Sequence, residues 1–103
     1  MGQFPPGLGV NLVRLIGRAK LIPLRKDRET AKWVVSWAAE VRDAQWKRPD
    51  DIARQFPSVL HDTDGTFLFR VPERPIGVRV LVAFTEGVAL VVAVRVFEVA
   101  NEY

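Results

Sequence analysis

The sequence predicts an α+β domain with helices packed on one side of a twisted antiparallel sheet, and three observations carry that prediction. From Asp27 to Trp46 the apolar side chains recur at three- and four-residue steps, the period of an amphipathic helix. After Gly65 the period falls to two, in runs rich in β-branched residues at Thr66–Val71, Ile76–Phe84 and Val88–Phe97. The helical half precedes the stranded half without alternation, so the strands are expected to meet as an antiparallel meander rather than through crossovers.

Taken in order, residues 1–9 hold Pro5, Pro6, Gly7 and Gly9 without periodicity and read as a flexible arm or an expression remnant, leaving 10–103 as one domain. Val10–Ile16, with β-branched Val10, Val13 and Ile16, is a candidate first strand ending at Gly17. Arg18–Lys26 suggests a helix through Leu21, Ile22 and Leu24, but Pro23 removes a backbone donor and makes it short, kinked or displaced. In the long helix Thr30, Trp33, Val34, Trp37, Val41 and Ala44 share one side, with Asp27 as N-cap and Glu29 favouring the positive end of the dipole. Trp33 and Trp37, one turn apart, belong to the core rather than to a base-stacking surface, and Trp46 at the helix end reads as half exposed. Pro49 suits the first turn of a second helix through Phe56, which Pro57 ends. Ser58–Gly65 reads as a polar loop, and Pro72–Pro75 and Thr85–Gly87 as turns, Gly87 taking a positive φ.

With 103 residues, 49 % of them hydrophobic, the chain fills one modest core, of a size that a covering partner stabilises further. The absence of cysteine excludes disulfides, thiolate metal sites and a cysteine nucleophile, and suits a reducing compartment. Arg95 interrupts the longest apolar run short of the roughly 18 residues of a membrane span, so the expected location is cytoplasmic, with no membrane partner. Fifteen Lys and Arg against twelve Asp and Glu give a net charge of +3. Arginines gathered on one surface would make nucleic acid the leading partner.

No phosphate-binding glycine loop or metal-ligand spacing is present, and neither cofactor nor metal is expected. His61, the single histidine, stands beside Asp62 and Asp64 and is either a proton-transfer group or an ordinary loop histidine. A three-residue loop, Thr85–Gly87, would pair Phe84 with Val88, Val82 with Leu90 and Val80 with Val92. Arg79 then lies opposite Ala93 and Arg95 opposite Gly77, on one face and at a diagonal of about 7–8 Å, the dimensions of a phosphate clamp. A two-residue loop, Glu86–Gly87, would shift the pairing by one and send the two arginines to opposite faces. The plain alternative pairs these arginines with Glu98 or Glu73.

Four words recur in a family order. They are A-Q-W-K-R-P-D-D-I-A-R-Q-F-P-S at Ala44–Ser58, T-F-L-F-R-V at Thr66–Val71, V-R-V-L-V at Val78–Val82, and V-R-V-F-E-V-A-N-E-Y at Val94–Tyr103. In this order and spacing, from Val13 onward, the chain resembles the HigB toxins, relatives of RelE. The resemblance implies a RelE-like helix-on-sheet domain that cuts mRNA without metal, usually on the ribosome, and is held inactive by a HigA-like antitoxin, as a homodimer or a toxin–antitoxin hetero-oligomer. It makes Arg79 and Arg95 phosphate contacts, has Lys47 steering RNA with Arg48 and Arg70 beside it as RNA-binding candidates, and matches Glu102 and Tyr103 to the family's E-Y pair. Ala100 stands where the family places its acid/base histidine. Proton transfer then falls to His61 or Tyr103, or the chain is weakly active, or it binds RNA or ribosome without cutting.

Overall fold

A computed structural model describes residues 13–63 and 65–96. The arm at Met1–Gly9, the start of the predicted first strand at Val10, and Phe97 lie outside the described residues. The elements run β1 (Arg14–Ile16), a 3-10 helix (Arg18–Lys26), α1 (Arg28–Arg42), α2 (Pro49–Gln55), β2 (Leu60–Thr63), β3 (Thr66–Arg70), β4 (Ile76–Ala83) and β5 (Val88–Val96). The five strands form one sheet in the order β1-β5-β4-β3-β2. The domain is α+β as predicted, but the sheet is mixed: β3 to β5 form the expected antiparallel meander, β2 adds an unpredicted antiparallel strand to it, and β1 pairs with β5 in parallel.

Arg18–Lys26 winds as a 3-10 helix rather than an α-helix. At three residues per turn Leu21 and Leu24 fall on one side, and both are buried. Gly17 makes the turn from β1 into this helix at φ +86, where a Cβ would meet the Val91 carbonyl oxygen at 2.9 Å, so only glycine fits there. The long helix stops at Arg42, and Asp43–Arg48 leaves it as an irregular segment. That segment drops Trp46 into the core instead of leaving it half exposed. Trp46 stacks on Phe69 at 6.2 Å, meets Phe56 edge-on, and satisfies its indole N–H on Gln55 Oε1 at 2.9 Å.

All three helical segments supply one core. Leu21, Leu24, Trp37, Val41, Trp46 and Ile52 pack against Phe67, Phe69, Val78, Val80 and Val91. Trp33 stacks on Trp37 at 5.6 Å, and Trp37 meets Phe69 edge-on, so both indoles are packing groups as expected. Because these contacts use one face of β3, β4 and β5, the other face carries no helix among the described residues. Among those residues, too, no helix is long and apolar enough to cross a membrane.

Asp27 caps α1 and ties it to the sheet. Its carboxylate accepts from the Thr30 backbone N–H at 3.1 Å and from the Thr30 hydroxyl, and pairs with Arg74 Nε at 2.9 Å. The Arg74 guanidinium, with Thr30, holds the Asp27 carboxyl down from 3.8 to about 2. A folded-state value below the unfolded one gives stabilisation that is full above pH 3.8 and is lost as pH falls towards about 2. Asp27→Asn, which can still cap the helix, should therefore flatten the acid limb of the stability curve in this window, measured as urea midpoints at stepped pH. An unchanged acid limb would contradict the assignment.

Candidate nucleic-acid interface

The facing of the basic side chains is decided in the β4–β5 hairpin. The connecting turn is four residues, Phe84–Gly87, and closes with Ala83 opposite Val88 rather than Phe84 opposite Val88. The Gly87 N–H donates to the Ala83 carbonyl at 2.9 Å, and Gly87 takes the expected positive φ, 69. From this start the pairs run Val82 with Ala89, Leu81 with Leu90 and Val80 with Val91. Continued unbroken, that register would set Arg79 against Val92 and Arg95 against Ile76, with Arg95 on the helix-packed face.

A bulge intervenes. The register shifts after Val80, leaving Val92 as the extra residue, and resumes as Arg79 with Ala93, Val78 with Val94 and Gly77 with Arg95. The reason lies in burial: Val78 is fully buried against the helices and Val94 packs on the same core, whereas the unbulged register would turn Arg95 inward. Burying an unpaired guanidinium costs several kcal/mol, far more than one lost ladder bond. The pairing expected for Arg79 and Arg95 is therefore present, reached through a longer turn and a bulge.

On this open face β3 contributes a third arginine. Arg70 lies opposite Gly77, which lies opposite Arg95, so the two arginines flank a residue with no side chain. Their backbones are separated by two strand spacings, about 10 Å, and Arg79 stands about 7 Å along the central strand from that row. The next row across the sheet is apolar, Ile16–Leu90–Leu81, with each side chain at least 36 % exposed. Arg79 thus stands between the row of Arg70 and Arg95 and an exposed hydrophobic strip. Guanidinium groups can grip phosphate oxygens through forked N–H donors, with the sheet holding the spacing.

The edge strand supplies the one carboxylate that reaches Arg79 among the described ion pairs. Leu60–Thr63, predicted as loop, is strand β2, with a register irregularity between His61 and Thr63. From it Asp62 Oδ2 approaches Arg79 Nε at 3.0 Å. Glu73 takes part in none of the described ion pairs, and Glu98 lies outside the described residues.

The other candidates are dispersed. His61 pairs with Phe67 and stacks on its ring at 4.4 Å, on the helix-side face of the sheet, away from the arginines. Lys47 and Arg48 are exposed on the helical side, where their backbone N–H groups donate to Asp51 at 2.8 and 3.3 Å and secure the start of α2. Tyr103, Glu102 and Ala100 lie outside the described residues. Searches against protein-family models and against curated proteins return no match.

Because Val92 is the extra residue, its deletion should convert β5 into a regular strand with Arg79 and Arg95 still on the open face and Val94 still inward. Stability by urea unfolding should change by no more than about 2 kcal/mol, with the m-value kept. Loss of cooperative unfolding would mean that the deletion reverses the facing and that the bulge is placed elsewhere.

Proposed function

We propose that this chain is an RNA-directed toxin of the HigB kind, with a RelE-like fold, that acts in the cytoplasm by cutting mRNA on the ribosome. The observation that carries the reading is the set Arg70, Arg79 and Arg95 on the sheet face away from the helices. In such a reaction the ribose 2′-hydroxyl attacks the adjacent phosphate and negative charge builds on the non-bridging oxygens. Fixed guanidinium donors stabilise that charge without reorganising. Proton transfer would come from Tyr103, since His61 faces the other way. Lys47 and Arg48, on the helical side, would serve ribosomal RNA rather than the scissile phosphate. The exposed row Ile16–Leu90–Leu81 beside the arginines supports a protein partner, a HigA-like antitoxin, that covers the face.

One observation favours a second reading. With His61 stacked on Phe67 across the sheet, and alanine at position 100, the arginine face would bind RNA, ribosome or an antitoxin-like partner without cutting. Induced expression without antitoxin separates the two. The first reading predicts growth arrest with cleaved transcripts, and Arg79→Ala should lower cleavage about 10²- to 10³-fold and restore growth. Intact transcripts at normal growth, with RNA still bound, would leave the binding module.

A further inference from the structure

We propose that Asp62 is a positioning residue that sets how tightly the arginine face takes a polyanion, by occupying the central guanidinium until phosphate displaces it. The inference rests on the reading of that face as an RNA site. Asp62 Oδ2 lies 3.0 Å from Arg79 Nε, and both side chains are about two-thirds covered, at 28 % and 33 % exposure. The contact is close but misaligned: Arg79 Nε is shielded from solvent and makes no hydrogen bond among the described residues. Charge attraction therefore holds the pair while a donor stays unsatisfied. A phosphate oxygen lying along the Nε–H direction would supply the missing bond and the opposite charge together. Asp62 can yield to it because it stands in the four-residue edge strand at a register irregularity, where, among the described residues, the backbone is held on one side only.

The carboxylate also changes what the face attracts. Paired with Asp62, Arg79 adds no net charge to the face it shares with Arg70 and Arg95. A polyanion that engages all three must break the ion pair. A polyanion that contacts several guanidinium groups at once offsets the loss of one surface ion pair more readily than an isolated anion does, so the pair favours nucleic acid.

The test measures binding of a short fluorescein-labelled single-stranded RNA at low and moderate salt. Wild type, Asp62→Asn, Asp62→Glu, Arg79→Ala and the double variant Asp62→Asn/Arg79→Ala are compared, each checked for cooperative unfolding. Asp62→Asn should bind about two- to five-fold tighter, as expected for releasing a partly exposed ion pair. Asp62→Glu, which keeps the carboxylate, should bind like wild type, and Arg79→Ala should bind more weakly. The double variant should match Arg79→Ala, because Asp62 acts only through that guanidinium. A gain from Asp62→Asn that persists in the Arg79→Ala background would be a general charge effect and would overturn the proposal. So would an unchanged or weaker Asp62→Asn beside a weakened Arg79→Ala, though the RNA site would then stand. Full binding by Arg79→Ala would overturn the site itself.

Discussion

The pairing of β4 with β5 is the constraint on which the basic face depends. A four-residue turn starts the ladder in one register and the helix-packed core demands another, and the two differ by a single residue. The bulge at Val92 absorbs that difference. The turn keeps its geometry around Gly87, Val94 keeps its place over the core, and Arg95 is turned to the face that Arg79 already occupies. The arginine grouping is thus a by-product of burying valines correctly.

The remaining architecture supplies rigidity behind that face. Trp37 and Trp46 pack on Phe69 of β3, and Phe67 of β3 with Val78 and Val80 of β4 extends the same core. The Asp27–Arg74 pair connects the start of α1 to the β3–β4 turn, so the helical layer is held at two levels. A packed, hydrogen-bonded sheet fixes where guanidinium groups stand, and electrostatic recognition gains most from groups that need not reorganise on binding.

Local signals carried much of this into the sequence. The period of Thr30, Trp37 and Val41 and the cap at Asp27 mark α1, and alternation marks β3, β4 and β5, because both patterns are written within a few residues of each other. Non-local choices left no such trace. Parallel pairing of β1 with β5 joins residues some seventy positions apart, as in Arg14 with Val88. Strand β2 has no apolar alternation to betray it, since all four of its residues are exposed. The burial of Trp46 is decided by Phe69 and Phe56, not by its own neighbours. At the site, the shared face of Arg79 and Arg95 was expected only from a three-residue turn; the four-residue turn and the bulge that produce it were not legible, being a compromise between a turn and a distant core. The Asp62–Arg79 pair was likewise hidden by the reading of β2 as loop.

The most direct test of the account is a titration of arginine side-chain Nε–H resonances with a short single-stranded RNA. The account predicts that Arg70, Arg79 and Arg95 shift together and saturate at one RNA concentration, while Arg25 and Arg42 on the helical side move little. Shifts confined to the helical side, with the three sheet arginines unmoved, would contradict it.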